Sequence, residues 1–179
     1  PWEDVTREAL VKEIQAGGFV GLGGAAFPTH VKLTVPEGKR VDWVLINGAE
    51  CEPYLTTDHR IMLENVDAII LGIRVTMKVL GASKSFIGIE NKMDAIQALA
   101  DALPKDLHCT IVPLQTKYPQ GAEKMLITAV LSREVPSGKL PIDAQVVVQN
   151  VGTVAGMGDY FAYGQPLIER VVTVTGPGI

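Results

Sequence analysis

The sequence predicts an α/β fold in which helices flank a mostly parallel sheet. Two patterns lead to this prediction. Short apolar segments rich in β-branched residues alternate along the chain with longer segments that have helical periodicity. Polar residues also collect directly after the apolar segments, and the ligands of such sheets bind beyond the carboxyl ends of the strands.

The predicted strands are short apolar runs of the kind that is buried on both faces of a sheet. Four of them belong to the sheet, and they cover residues 41–47, 85–90, 109–114 and 145–150. A further segment, residues 168–175, alternates polar and apolar side chains, which predicts a half-exposed strand.

Helices are predicted from the spacing of apolar residues and from residues that start or end helices. Gly17 and Gly81 each follow a predicted helix, where glycine commonly ends one. The predicted helices cover residues 5–16, 57–80, 93–103, 122–131 and 153–162, with Thr57 and Asp58 as the cap of the second and Pro119 at the start of the fourth. This alternation of strands and helices gives a Rossmann-like sheet with helices on both faces.

Composition and charge restrict the classes of function. The chain has 179 residues and a net charge of -4 without a cluster of Lys and Arg, so we expect no nucleic-acid partner. The longest apolar run, residues 61–80, is interrupted by charged residues, which predicts a buried amphipathic helix and no membrane span. The chain begins at Pro1 without a signal-peptide pattern. The absence of an initial Met suggests a piece of a longer protein. No serine lies in a nucleophile elbow, so hydrolase chemistry is not expected.

A glycine-rich segment, residues 21–26, matches the GxGxxA pattern of dinucleotide-binding loops. A conventional Rossmann turn is not expected, because this segment follows a helix and Pro28 leaves room for only a brief helix after it. Glycine still allows backbone N–H groups to approach a phosphate, and Lys32 can add a positive charge beside it. The alternative is a tight structural turn without a ligand.

Two carboxylates, Glu50 and Glu52, follow the first predicted strand and point to the same side of an extended segment. They can bind a metal, act as an acid and a base, or accept hydrogen bonds from a ligand. Asp58 and His59 are the nearest further metal ligands, but the spacing matches no known cage, so we expect no metal here. Solvation at the surface is the remaining alternative.

Two later segments carry groups suited to a flat heterocyclic ligand. Tyr118 and Gly121 lie at a predicted helix start, where an aromatic ring can stack and backbone N–H groups can face an anion. Gln149 and Asn150 end the last strand of the sheet with side-chain amides, which can hydrogen-bond the polar edge of a ring. The alternative role of Asn150 is to cap the next helix.

Four segments together resemble one protein family. These segments are residues 23–29 (GGAAFPT), 47–53 (NGAECEP), 118–123 (YPQGAE) and 150–153 (NVGT). They are similar, in their order along the chain, to the flavin-binding domain of the 51-kDa subunit of respiratory complex I. They are more similar to the C subunit of the Rnf complex, a membrane-bound ferredoxin:NAD oxidoreductase, for which residues 49–56 and 117–124 are the most typical. The resemblance covers residues 17–176.

The resemblance implies that residues 1–179 form an FMN- and NADH-binding domain. The implied cofactor-binding residues fall into groups by their place around the flavin. The loop around the phosphate would contain Gly21, Gly23, Gly24 and Lys32. The flavin and the approach of the nicotinamide would be lined by Asn47, Glu50 and Glu52. The isoalloxazine would lie near Tyr118, Gly121 and Glu123, and the phosphate and ribityl side would be closed by Asn150 and Thr153. No side chain is implied as a proton-transferring catalyst.

The resemblance also implies a function. FMN takes a hydride from NADH, or returns it to NAD, and exchanges single electrons with the iron–sulfur part of the family's proteins. The domain would be the NADH-linked flavin oxidoreductase component of an ion-translocating electron transport complex. It would lie peripherally on the cytoplasmic side of the bacterial plasma membrane, in contact with the membrane subunits of the Rnf complex. The 4Fe-4S clusters of that family would lie in a segment beyond residue 179.

Two alternatives stay open. The chain also looks like the cobalamin-reductase-like flavoproteins of bacterial microcompartments, which share the glycine loop. The other alternative is a flavin-free docking module of a redox complex, since Ala26 stands where the family usually has glycine. If this position requires a positive φ angle, the methyl group costs about 1 kcal/mol.

Overall fold

The computed structural model describes all 179 residues and has a four-stranded sheet at its centre. The strands are β1 (Trp43–Gly48), β2 (Lys84–Glu90), β3 (Cys109–Leu114) and β4 (Val146–Asn150), in the spatial order β3-β2-β1-β4. All pairings are parallel, and Leu45 of β1 lies opposite both Phe86 and Val148. The predicted α/β class and the parallel sheet are confirmed.

Helices cover both faces of the sheet. They are α1 (Arg7–Ala16), α2 (Thr29–Leu33), α3 (Thr57–Glu64), α4 (Val66–Leu80), α5 (Met93–Ala102), α6 (Glu123–Leu131) and α7 (Val151–Tyr163). Short 3-10 helices at Trp2–Asp4 and Pro141–Ala144 complete the regular structure. None of the helices combines the length and the apolar composition that crossing a lipid bilayer requires.

The side chains of β1 alternate between two apolar layers. Val44 and Ile46 pack into the larger layer, to which α1, α4, α5 and α7 contribute. Leu45 packs into the smaller layer with Leu126 of α6 and Val148 of β4. Burial on both faces explains why β1, β2 and β4 appear in the sequence as continuous apolar runs rather than as alternating ones.

Helices α4 and α7 are in contact through glycine. A Cβ atom added at Gly72 would lie 1.9 Å from the carbonyl oxygen of Val154, and one added at Gly158 would lie 1.9 Å from the carbonyl oxygen of Ala68. The two backbones therefore touch directly, and the packing has no room for a side chain at either glycine.

The predicted single helix over residues 57–80 is wrong, because the chain forms two helices that meet at Asn65. Its φ and ψ angles are -121° and 36°. The Asn65 N–H donates to the Ile61 carbonyl and ends α3, while its own carbonyl accepts from the Ile69 N–H and starts α4. Asparagine favours helix ends because its side chain forms local or tertiary hydrogen bonds, and Asn65 lines a cavity together with Asp159 of α7.

The predicted strand over residues 168–175 is also wrong. This segment has no regular structure, and residues 170–173 pass over the carboxyl edge of the sheet. Arg170 Nη2 donates to the Leu22 carbonyl at 3.1 Å, and the Thr56 N–H donates to Thr173 Oγ1 at 3.1 Å. A strand requires a neighbouring backbone in register, and a segment that crosses the ends of strands has none.

Candidate functional site

Two adjoining cavities open at the carboxyl edge of the sheet, and we name them after the helices that line them. The α6 cavity, of about 350 Å³, lies between the glycine loop (residues 21–26), the end of β4 and the turn before α6. The α3 cavity, of about 380 Å³, lies between the same loop, the start of α3 and residues 170–173. Cavities of this size are typical of small-molecule sites.

The structure brings the predicted site residues together. The two cavities share Gly23, Asn47, Glu52, Gly121 and Asn150. The α6 cavity adds Gly21, Lys32, Tyr118 and Glu123, and the α3 cavity adds Gly24 and Glu50. Of the residues predicted for the site, Thr153 alone lines neither cavity. Groups from four separated stretches of the sequence therefore meet in one place.

The glycine loop is fixed to the start of α7. The Leu22 N–H donates to Thr153 Oγ1 at 2.9 Å, so the buried Thr153 supports the loop from beneath. Gly24 has a φ angle of 114°, a conformation that a residue with a side chain rarely adopts. Neither Gly23 nor Gly24 donates its N–H to a backbone carbonyl, which leaves both groups available to an anion.

Ala26 has a φ angle of 51°, in the left-handed region, and it lines neither cavity. We expect Ala26→Gly to raise the free energy of unfolding by about 1 kcal/mol, because glycine adopts this angle without a steric penalty. Urea denaturation measures the change. Ala25→Gly is the matched control, since Ala25 has no positive φ angle and glycine there only adds freedom to the unfolded chain. The same change in both variants would contradict the prediction.

Lys32 of α2 and Glu123 of α6 form an ion pair at the α6 cavity. Lys32 is the only lysine or arginine that lines this cavity, so it is the cation nearest to an anion bound there. Both side chains are partly exposed, and such pairs add little to stability. Lys32 can therefore turn from Glu123 towards a phosphate at small cost.

Glu50 lines the α3 cavity and caps α3. Its carboxylate accepts hydrogen bonds from the Asp58 N–H at 2.6 Å, the His59 N–H at 3.1 Å and the Thr57 hydroxyl at 3.1 Å. The predicted cap by Thr57 and Asp58 is wrong, because the free N–H groups at the helix start attract a full negative charge from the preceding loop. Glu50 reaches this place with a φ angle of 49°.

Asp58 is a largely buried carboxyl group beside the α3 cavity. Burial raises its pKa to about 6; the hydrogen bond from Asn150 acts in the opposite direction, and the charges of Glu50 and Glu52 raise the pKa further. The Asn150 Nδ2 donates to Asp58 Oδ2 at 2.7 Å. These acidic residues form no group of three ligands that could hold a metal ion.

The raised pKa of Asp58 predicts a pH dependence of stability. The pKa of Asp58 is 3.8 in the unfolded chain and about 6 in the folded protein, so protonation of Asp58 stabilises the folded state. This stabilisation is fully present below the unfolded pKa and is lost as pH rises through the folded pKa. At pH 7.5 we expect Asp58→Asn to be more stable than the wild type by about 2 kcal/mol, and this difference should shrink towards pH 4. Urea denaturation at several pH values measures it. A difference that does not change with pH would contradict the prediction.

The end of β4 carries two amides with different roles. Asn150 Oδ1 accepts from the N–H groups of Gly152 and Thr153 at 2.9 and 3.2 Å, so Asn150 caps α7. Gln149 lines the α6 cavity with only 2% of its surface exposed, and its Nε2 has no hydrogen-bond partner. A buried donor without a partner is rare and destabilising, so a ligand that accepts from it would be stabilised. The resemblance does not imply Gln149, although the sequence has its amide at the strand end.

Tyr118 and Gly121 lie in a turn before α6, because α6 begins at Glu123 and not at Pro119. Tyr118 stands at the rim of the α6 cavity and is largely exposed. The Gly121 N–H donates to Cys51 Sγ at 3.2 Å. The expectation that backbone N–H groups here face an anion is wrong for Gly121, since the sulfur already accepts from this donor.

Two further residues line the cavities but were not predicted from the sequence. Phe27 lines the α6 cavity and is half-exposed, and its place directly after the glycine loop is the signal that could have found it. Arg170 is the only basic residue that lines the α3 cavity. No local pattern marks Arg170, because its segment reaches the site only through the tertiary fold.

Comparison with known proteins shows the family of this chain. The family model of the Nuo51 FMN-binding domain matches residues 14–158. The chain is 52% identical to the C subunit of the Na(+)-translocating ferredoxin:NAD(+) oxidoreductase complex of Acetobacterium woodii, over 99% of this chain and 40% of that protein. It is 50% identical to the C subunit of the proton-translocating ferredoxin:NAD(+) oxidoreductase complex of Clostridium ljungdahlii, over 99% of this chain and 39% of that protein. The chain thus spans about two fifths of the length of these relatives.

Solved structures share the fold. An NAD+-reducing NiFe hydrogenase matches in its air-oxidized and H2-reduced states with TM-scores of 0.73 and 0.69 at 20% identity, over 88% of this chain and 30% and 31% of those chains. The family model covers most of this chain, and the named relatives agree with the resemblance that the sequence motifs indicate. The chain belongs to the family of the Nuo51 FMN-binding domain.

Proposed function

We propose that this domain binds FMN in the α6 cavity and exchanges electrons with NADH that approaches through the α3 cavity, as part of an ion-translocating ferredoxin:NAD oxidoreductase complex of the Rnf type. The family and the names of the similar C subunits support this proposal. The same names favour it over a cobalamin-reductase-like role.

The unpartnered amide of Gln149 is the observation that carries the proposal. It lines the α6 cavity together with Lys32 and Gly23. One cavity therefore combines a cation and a free backbone N–H group, which suit a phosphate, with a buried amide, which suits the polar edge of a ring. FMN carries both a phosphate and such a ring, so the residues fit this cofactor.

The residues of the chain would bind and orient the cofactor. Gly23 and Lys32 would hold the phosphate, and Thr153 would keep the glycine loop in position from beneath. Gln149 would hydrogen-bond the ring, and Tyr118 would cover it at the rim. Bound FMN would supply the hydride and single-electron chemistry.

The α3 cavity is the proposed approach of NADH. It joins the α6 cavity through Asn47 and Glu52, which line both. Glu52 is exposed, and a carboxylate can accept hydrogen bonds from the ribose hydroxyls or the carboxamide of NADH. Arg170, the basic residue of this cavity, would lie close to the pyrophosphate.

The role in a complex rests on the relatives, which are named as subunits. We propose that the domain is the NADH-linked part of an oxidoreductase on the cytoplasmic side of the bacterial plasma membrane. The other subunits of the complex would be its partners, and 4Fe-4S clusters would lie in a part of the protein outside these residues.

Titration with FMN tests the cofactor assignment. We expect the wild type to acquire flavin absorbance and to quench flavin fluorescence, and NADH to bleach the bound flavin in the absence of oxygen. Gln149→Leu should weaken FMN binding about tenfold, because the loss of one buried hydrogen bond costs about 1.4 kcal/mol. Gln97→Leu makes the same change on the exposed face of α5 and should bind FMN like the wild type.

Three outcomes would count against the proposal. A wild type that stays colourless in excess FMN would refute FMN binding. Bound flavin that NADH does not bleach would refute the NADH step alone. FMN affinity that Gln149→Leu leaves unchanged would remove the observation that carries the proposal.

A further inference from the structure

The turn before α6 is anchored to the end of β1 through a single residue, Gly121. The Gly121 N–H donates to Cys51 Sγ at 3.2 Å, and the Gly121 carbonyl accepts from Asn47 Nδ2 at 2.8 Å. Both hydrogen-bonding groups of Gly121 are thus bonded to side chains at one end of β1: Asn47 lies within β1, and Cys51 follows it. Helix α6 itself contributes no bond to this residue.

The contact at this anchor is close. A Cβ atom added at Gly121 would lie 3.3 Å from Cys51 Sγ and 3.5 Å from Asn47 Nδ2. The other end of the turn has one weaker bond, in which the Lys117 N–H donates to Glu90 Oε1 at 3.4 Å. Removal of the sulfur would therefore leave this end of the turn held to β1 by the Asn47 bond alone.

An independent observation connects this anchor with a ligand. Cys51 and Gly121 line the α6 cavity, and Gln149 lines the same cavity. Gln149 is 2% exposed and its Nε2 has no partner in the protein. A ligand that accepts a hydrogen bond from Gln149 would therefore occupy the cavity that Cys51 also lines.

We propose that Cys51 is a positioning residue for the flavin: its sulfur sets the turn from Tyr118 to Ala122 at the separation from β4 that the ring requires, and the bound ring covers the thiol. This inference rests on the proposed binding of FMN. It assigns Cys51 no step in electron transfer, since the thiol acts only through the Gly121 peptide and the shape of the cavity.

Alkylation with N-ethylmaleimide tests the covering of the thiol in the purified wild type. Peptide mass spectrometry follows the modification of Cys51 and of Cys109, with and without saturating FMN. Both thiols are partly exposed, and Cys109 begins β3 at the opposite edge of the sheet, so it is the internal control. We expect FMN to slow the alkylation of Cys51 at least tenfold and to leave the rate at Cys109 unchanged.

Two substitutions test the positioning. Cys51→Ala should weaken FMN binding about tenfold, whereas Cys51→Ser, which keeps a hydrogen-bond acceptor for the Gly121 N–H, should recover most of the affinity. Cys109→Ala should bind FMN like the wild type. A purely structural role of Cys51 would change the unfolding transition without producing protection by FMN.

The outcomes separate the two proposals. A wild type that does not bind FMN overturns the proposed function and this inference together. A wild type that binds FMN while Cys51→Ala binds it equally well overturns only the positioning role. Alkylation of Cys51 at the same rate with and without FMN overturns the inference as well, and this measurement does not depend on whether the variants fold.

Discussion

Replacing Gly72 by alanine should lower the free energy of unfolding by more than about 3 kcal/mol. The added Cβ would lie 1.9 Å from the carbonyl oxygen of Val154, far inside any non-bonded contact distance. A backbone carbonyl cannot turn away as a side chain can, so α4 and α7 must separate and the larger apolar layer must open between them. Urea denaturation measures the loss.

Gly156→Ala is the matched control, because Gly156 lies in α7, the helix that Gly72 of α4 contacts, but meets no backbone of α4. Its added Cβ would lie 3.3 Å from the Phe19 ring, a side chain that can shift. Alanine favours a helix over glycine by about 1 kcal/mol, so the variant should lie within about 1 kcal/mol of the wild type. Equal losses at Gly72 and Gly156 would show that the direct backbone contact is not the cause.

Replacing Glu50 by alanine should lower the free energy of unfolding by about 3 kcal/mol. The change removes an acceptor of three hydrogen bonds and leaves the Asp58 and His59 N–H groups at the start of α3 without their partner. Denaturation of the protein without FMN measures the effect, so that ligand binding does not contribute to it.

Glu52→Ala is the control for this prediction, since Glu52 is a carboxylate two residues further on that is exposed. We expect it to change stability by less than about 0.5 kcal/mol. Glu50→Gly should lose less than Glu50→Ala, because glycine adopts the φ angle of 49° without strain. An equal loss in Glu52→Ala would mean that the capping contact contributes nothing specific.

Strands β1, β2 and β4 could be predicted because they are buried on both faces, which leaves continuous apolar runs in the sequence. The break at Asn65 could not be predicted, because the apolar periodicity continues through it. The strand expected over residues 168–175 failed for a related reason. Alternation describes which side chains can face an apolar surface, but a strand also depends on a neighbouring backbone.

The composition of the site could be predicted from the four ordered motifs, but the roles of individual residues could not. Glu50 and Asn150 each combine a place at a cavity with the capping of a helix, and this is visible only when their partners are known. The amide of Gln149 could be located at the strand end, but its lack of a hydrogen-bond partner could not be predicted, because no sequence pattern encodes it. Thr153 supports the loop through one bond to Leu22, far away along the chain.

The bond between Leu22 and Thr153 joins residues 131 positions apart. On a ribosome, the glycine loop is made early but stays without its support until α7 has left the exit tunnel. Contacts of such long range form late and slowly during folding. The glycine loop is therefore supported only once α7 has formed, and shorter nascent chains have no preformed loop for a phosphate.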